Sequence, residues 1–555
     1  MRIAAFLAPA ALLALGCAPP ATAGPTTPVQ IAGDTPAPAP TGEDAAPITQ
    51  CMFEPGLVPP QHATTAVLVS AVAPSDAPAP TTAMVLEGGP LGHDPQVAAG
   101  DHTLMVYTSH TYHLFDKATG RPLPAREGDE IAPLGDFNTL FAPVWAPRPH
   151  RGGPNPDSIN HRLHFAAGDP LICDPMAPRA GNACVQEFYD SRVLWDSQRR
   201  RFWVESAARN HLWQCTPTAQ KPCTEPKLSQ TQHRRFIAIA VSRTEDPRDG
   251  FHRYVLVDEY VDWPKIGIHD RYLILNHRGA SNLYVFDADK LAAGNPDRGP
   301  VLLAKLDARS FPGAKFLAPV THHGPSDGAT YLLGSNGSGT VIPFALVNPD
   351  PSRAMPPRIV AGPPVTLGER VGTLENNAVF RDGKLYFTFD EWVPGLVQHE
   401  PYRHVRIVRI PVQPAGNKLW STSDPARGYL DVAIGGREPD DAPTDVVDYE
   451  KPALDVDGRG NVVVVYSRHG YRTRADLPPE VRYSILYSSE ARPRPGVLVR
   501  RGQTMGVPDI DDNGKAGIDL AFAQTDPDDA TVWITHAYAG RDPHGYKQIV
   551  AAVRP

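Results

Sequence analysis

Short apolar runs separated by turn residues recur along the chain, and each recurrence keeps the same internal order. A polar residue, often Asp, opens an apolar run; a turn follows, then a second and a third apolar strand. The recurrences begin near His93, Asp190, Trp263, Pro319, Asn377, Pro452 and Asp519; the second reads YDSRVLWDSQRRRFWVES and the sixth PALDVDGRGNVVVVYS. Self-similarity at a period of tens of residues marks a repeat architecture, and several short strands per repeat mark propeller blades. Alternation at Leu104 and Val106 and the unbroken run Val462 to Tyr466 are strand patterns, the second that of a strand buried on both faces. Asp382-Gly383, Asp457-Gly458 and Asp327-Gly328 fall where hairpins need turns. Helical spacing is confined to a single turn over residues 288–293. The expectation is an all-β, seven-bladed β-propeller over residues 61–555. An N-terminal strand within residues 64–72 is expected to close the last blade beside residues 546–553, removing the exposed edges.

The ends and the composition change the picture in three ways. Arg2 ahead of IAAFLAPAALLAL is an export signal, its apolar run too short to span a bilayer as a helix. Residues 1–16 read as a signal peptide of lipoprotein type, because Ala14-Leu15-Gly16-Cys17 resembles a lipobox that leaves a lipid on Cys17. Ala21-Thr22-Ala23 is the alternative, cleavage to a soluble secreted product. Residues 17–60, rich in Ala, Pro and Thr, hold too little apolar surface to fold and read as a tether. The expected location is therefore a membrane-anchored lipoprotein facing the periplasm or the cell exterior. A net charge of -8 without a dominant basic face argues against a nucleic-acid partner. Export permits disulfides, and flanking of short loops pairs Cys173 with Cys184 and Cys215 with Cys223, leaving Cys51 odd. The absence of C-x-x-C removes support for a zinc ribbon or redox dithiol.

The phrases HDPQVAAG with YHLFDKATGRPL, YDSRVLWDSQRRRFWV, DWPKIGIHDRYLIL with NLYVFDADKL, and DPDDATVWITHAYA resemble those of a group of uncharacterised secreted bacterial seven-bladed β-propeller proteins. The resemblance spans most of residues 90–555, and DWPKIG is its most specific part. It implies the fold and export and carries no catalytic residue across. A distant similarity to sialidase-type propellers is thinner. Their S-x-D-x-G-x-T-W box is nowhere intact, and Gly328-Ala329-Thr330-Tyr331 matches only its tail. Val320 and Ala378 stand where the nearer relatives carry polar first-strand residues.

In a propeller the first strand of each blade lines the channel, so the residues opening the repeats converge on the axis: Asp94, Asp190, Lys265, His322, Asn377, Lys451 and Asp519, with Glu375 and Glu450 close by. Polar side chains in a narrow channel need partners, and a hydrated channel is the default reading. A bound cation or a catalytic acid–base pair are the alternatives. Candidate catalytic residues are Asp94, Asp190 and Glu450 as acids, with His322 or Lys265 as base or charge stabiliser. Oxygen donors at Asp509, Asp511, Asn513 and Asp519, with Gly514 at the sharp turn, form a candidate Ca2+ loop, its last acid one place short of the usual twelfth position. Otherwise no cofactor is expected. H-E-P-Y-R-H at residues 399–404 is one residue too long for a zinc-protease helix, and its Pro opposes that helix. Trp213 and Trp392 are the aromatics positioned to stack on a sugar ring.

A rigid scaffold with long loops and no recognisable catalytic signature reads first as an extracellular binding module for a glycan or surface protein, held to the membrane only through its lipid and acting as a monomer. The alternative is a carbohydrate-active enzyme, glycoside hydrolase or polysaccharide lyase, with its site at the channel mouth. The sequence leaves open whether the chain is an enzyme.

Overall fold

The computed structural model describes residues 65–68 and 82–91 and most of 95–555; the longer segments outside it are 142–160, 164–181, 215–226, 295–300, 368–373, 394–401, 436–446, 471–476, 504–520 and 540–545. The signal and tether, Asp94, Asn377, the Ca2+ loop and every cysteine side chain, with their expected pairings, lie outside the described residues. Among the described residues no helix is long and apolar enough to cross a membrane.

Strands are numbered along the chain, beginning with β1 (Thr65–Leu68) and β2 (Thr82–Leu91). A four-stranded antiparallel sheet follows: β3 (Gln96–Ala99), β4 (Thr103–Thr108), β5 (Thr111–Asp116) and β6 (Leu134–Asp136). The next sheet has β8 (Asn182–Asp196), β9 (Arg201–Gln214), β11 (Arg234–Ser242) and β12 (Phe251–Val257) in antiparallel succession, with short β7 (His161–Leu163) and β10 (Lys227–Leu228) at its margins. β13 (Lys265–His269), β14 (Tyr272–His277), β15 (Asn282–Asp287) and β16 (Leu302–Leu306) form the third. A ten-stranded sheet contains β17 (Phe316–His323), β18 (Ala329–Ser335), β19 (Thr340–Val347), β20 (Arg358–Ala361) and β21 (Val365–Thr366), then β22 (Ala378–Arg381), β23 (Lys384–Val393), β24 (Tyr402–Ala415), β25 (Lys418–Ser421) and β26 (Leu430–Ile434). It is two antiparallel groups joined by the parallel pairing of β17 with β22, Val320 facing Ala378. Another four-stranded sheet is β27 (Val447–Val456), β28 (Val462–Gly470), β29 (Glu480–Leu486) and β30 (Val497–Arg500). The last joins β31 (Phe522–Thr525), β32 (Val532–Ala539) and β33 (Tyr546–Val553) to β2 and β1. The molecule is all-β, with the expected helical turn at Ala288–Ala292, where the Asp287 carboxylate accepts from the Lys290 N–H.

The two ends of the described chain share a sheet, with one difference from expectation. The strand within residues 64–72 is β1, but β2 is what pairs with β33, Val85 facing Ile549, and β1 pairs with the far side of β2. β2 has 10 residues of strand against 4 in β1, so the longer run covers the open edge of β33.

Burial on both faces explains the continuous apolar runs. Val193, Phe202 and Val204 pack with Ala98, Met105 and Tyr107 of the sheet before, while Leu194 and Trp203 pack with Ile266, Leu273 and Leu275 of the sheet after. Because side chains alternate along a strand, each second-sheet strand feeds two cores at once. The turn at residues 382–383 has φ of 50° at Asp382 and 71° at Gly383, the left-handed pair that a two-residue hairpin of matching twist requires.

First strands touch in order along the chain: β3 meets β8, β8 meets β13, then β17, β22, β27 and β31, and β31 meets β3. Side chains span these junctions. Gln524 Oε1 accepts the Ala99 N–H at 3.2 Å while its Nε2 donates to the Trp195 carbonyl at 3.3 Å. Asp455 accepts the Thr525 N–H at 2.7 Å, and the Thr525 hydroxyl donates to the Val456 carbonyl at 2.9 Å. Replacing Gln524 by Ala leaves a buried N–H and a buried carbonyl without these partners. The expected cost is about 1–3 kcal/mol, read as a lower urea midpoint with unchanged slope. Arg309→Ala, at an exposed ion pair with Asp307, is expected to leave the midpoint unmoved.

Candidate functional site

Antiparallel order puts the start of each first strand and the end of each second strand at one edge of the sheet. That edge receives connections such as 164–181, 258–262, 436–446 and 504–520. The opposite edge carries the short turns 270–271 and 382–383 together with the longer connections 117–133 and 487–496.

Two first strands carry a bulge. The register of β8 shifts between Tyr189 and Arg192, and that of β27 between Glu450 and Ala453. The extra residues, Asp190 and Lys451, both sit at φ 51°, and Trp263, two residues before β13, at φ 47°. A left-handed non-glycine residue costs about 1–3 kcal/mol, and a bulge re-aims its side chain. The Trp263 N–H donates to the Asp190 carboxylate at 3.4 Å, linking two of the three.

Beside the β27 bulge lies a charged cluster drawn from two sheets. Glu450 Oε2 meets Arg403 Nη1 at 2.5 Å, and Glu450 Oε1 meets His469 Nε2 at 2.8 Å. Arg403 Nη1 also reaches Asp390 Oδ2 at 3.2 Å, and the Arg403 backbone N–H donates to Asp448 Oδ1 at 2.8 Å. His536, from β32, reaches the Lys451 carbonyl at 3.2 Å. Register explains the assembly: Asp448 faces His469 across β27 and β28, and Trp392 faces Arg403 across β23 and β24.

Burial favours the neutral form of every carboxyl here, and partners decide the outcome. Burial pushes Glu450 up, but the charge and contact of His469, with Arg403, outweigh it and hold Glu450 at about 2. Burial pushes His469 down, but Glu450 lifts it to about 9. Burial raises Asp390 against the pull of Arg403, and raises Asp448 likewise. One cluster thus holds an ionised carboxylate beside carboxyls displaced towards the neutral form.

The other expected residues fall as follows. Lys265 is buried, its ammonium donating to the Leu317 carbonyl at 3.4 Å and to that of Leu374. His322 lies near the end of β17, at the opposite edge, away from Lys265 and Glu450. Its Nε2 accepts the Tyr331 N–H at 3.1 Å and its ring stacks on His269 at 3.9 Å. Burial holds it well below the ordinary histidine range, so it is neutral. Trp213 and Trp392 are on strands β9 and β23, their side chains outside the described residues. Among the described residues no group of three or more His, Cys, Asp or Glu side chains is arranged to hold a metal ion. Asp390, Arg403, Asp448 and His469 were not singled out in the sequence. The available signal is that a polar residue ending an apolar second strand faces the polar start of the first, as His469 does Asp448.

No known protein family matches the chain, and no curated protein does. Solved structures similar to it include the α-L-arabinofuranosidase Arb93A from Fusarium graminearum, at 10% identity over 66% of this chain and 92% of that one, TM-score 0.28. An α-L-arabinanase from Cellvibrio cellulosa is similar at 13% identity over 53% of this chain and 91% of that one, TM-score 0.28. Trypanosoma rangeli sialidase is similar at 8% identity over 88% of this chain and 60% of that one, TM-score 0.31. At these scores the likeness carries no weight for chemistry.

The cluster makes stability depend on pH in a defined way. His469, raised from 6.5 to about 9, contributes stability fully below pH 6.5 and loses it as pH climbs to 9. Glu450, lowered from 4.5 to about 2, contributes above pH 4.5 and loses it as pH falls towards 2. His113, His269, His404 and His536, lowered to about 4 by burial, add an acid-side loss from pH 6.5 down to 4, because the unfolded chain takes those protons first. His469→Gln is therefore expected to lower Tm at pH 6 and to differ less from the parent at pH 9.5. Equal differences at both values would refute the pairing.

Proposed function

We propose that this chain is an exported seven-bladed propeller, lipid-anchored at Cys17, whose charged cluster around Glu450 is an acid–base site acting on a glycan. This favours the second of the two readings drawn from the sequence, the carbohydrate-active enzyme, over the binding module. The blade count is supported by seven antiparallel groups of four, when the ten-stranded sheet is divided at β17 and β22 and β2 is counted with β31, β32 and β33. Ring closure is supported by the cyclic order of first-strand contacts, β31 returning to β3. Export and the lipid rest on residues 1–17 alone.

One observation carries the enzymatic reading. Asp390 and Asp448 are displaced upward in the same cluster that holds Glu450 at about 2. Carboxyls driven apart in this way suit one group to give a proton while a neighbour stays charged, the division of labour of glycoside hydrolysis. A binding module has no need of such a split, because recognition of a neutral sugar uses hydrogen bonds and stacking. In a seven-membered ring Asp190, in the second unit, stands across the axis from the fifth and sixth, which supply Asp390 and Glu450. A sugar chain entering the mouth would then meet acidic groups on both sides.

The test is incubation of the chain with a panel of polysaccharides and peptidoglycan, calcium present, with released fragments read by mass spectrometry. Fragments one water heavier per bond broken are expected. Unsaturated fragment ends would instead identify a lyase. Retention without release would restore the binding module.

A further inference from the structure

Resting on the glycan-cleaving reading, we propose that Asp390 is the proton donor of the site and that Arg403 is the residue that positions it. The three carboxyl groups of the cluster differ in what they are free to do. Glu450 is 2% exposed and has both oxygens in ion pairs, one with Arg403 and one with His469. Asp448 is 4% exposed and accepts the backbone N–H of Arg403, so that it anchors the start of β24. The Asp390 side chain is 22% exposed, and its contact with Arg403 is the longer of the two that this guanidinium nitrogen makes, 3.2 Å against 2.5 Å.

Position and electrostatics agree. Asp390 lies near the end of β23, at the edge of the sheet where the first strands start. Arg403 makes its shorter contact with Glu450, which in turn is engaged by His469. Burial raises Asp390 against the pull of Arg403 and Lys451. Arg403 orients the carboxyl group. The reaction then balances as follows. The Asp390 carboxyl proton passes to the glycosidic oxygen as the bond from that oxygen to the anomeric carbon breaks, its electron pair leaving with the oxygen. A water molecule adds to the anomeric carbon and loses a proton to solvent, and Asp390 regains one from solvent. The water consumed is the only co-reactant.

A leaving group that needs no protonation separates this role from a structural one. The full chain and its Asp390→Asn variant are compared on the polysaccharide cleaved in the panel and on 2,4-dinitrophenyl glycosides of the same sugar, with Tm measured for both proteins. The amide is expected to fall by roughly 10²–10⁴-fold on the polysaccharide, the range of a lost general acid, and far less on the dinitrophenyl glycoside. The basic limb of the polysaccharide pH profile is expected to disappear with it. Equal losses on both substrates, or no loss on either, overturn the assignment. Should the amide fail to fold, Asp390→Glu answers the same question: a displaced donor slows the polysaccharide and spares the dinitrophenyl glycoside, and parallel changes refute it. An inactive parent chain on every substrate removes the glycan reading together with this one. An active parent with an indifferent Asp390→Asn removes this one alone.

Discussion

Five of the first strands, β3, β8, β13, β27 and β31, are edge strands, and an edge carries backbone donors and acceptors that must be satisfied once water is excluded. The structure meets that demand largely with side chains from neighbouring sheets. Gln524 serves Ala99 and Trp195, Asp455 and Thr525 serve each other's strands, Arg192 donates to the Pro264 carbonyl at 2.8 Å, and Asn376 donates to the Pro452 carbonyl at 2.8 Å. At one junction, β17 and β22, the strands pair directly instead. Because each bond crosses from one sheet to another, satisfying the edge and ordering the sheets are the same event. Much of the polar character of the repeat openings follows from this: Lys265 and Arg192 are there chiefly to reach carbonyls.

The charged cluster departs from that economy. Three cations, Arg403, His469 and Lys451, act on three carboxyl groups, Asp390, Asp448 and Glu450, that are largely buried. Desolvation makes an uncompensated charge expensive, so two ion pairs form and the remaining carboxyls move towards their neutral forms. On the same sheet as Glu450, Glu480, fully buried, meets Arg468 at 2.9 Å and Arg482 at 2.6 Å.

The strained residues belong to the same description. Asp190 and Lys451 occupy left-handed backbone at bulges within β8 and β27, and Trp263 occupies it two residues before β13. A bulge shifts the register by one, which is why the alternation pattern before Glu450 does not continue through Ala453. It also turns the extra residue out of the ladder. Periodicity read along the sequence treats such a residue as one more alternate position.

The pattern of apolar runs and turn pairs was enough to establish strands, hairpins such as that at Asp382-Gly383, the one helical turn after Asp287, and two-sided burial of runs such as Val462 to Tyr466. These are local properties, set by side-chain period and turn chemistry, and they do not depend on distant partners. Part of the site was legible for the same reason: Asp190 and Glu450 lie in first strands, and polar residues there are conspicuous against apolar neighbours. Asp390, Arg403 and His469 were not, because each ends or begins a strand deeper in its sheet and acquires meaning only from a neighbour across an interface. The fate of His322 was equally hidden, since a burial that keeps it neutral comes from His269, Tyr331 and Phe380 on three other strands. The sequence by itself determined which segments are strands and which faces they bury. Only the tertiary structure decided which strand covers β33, which polar residues meet, and which carboxyls are displaced towards the neutral form, because those outcomes depend on through-space charge and desolvation between residues far apart in the chain.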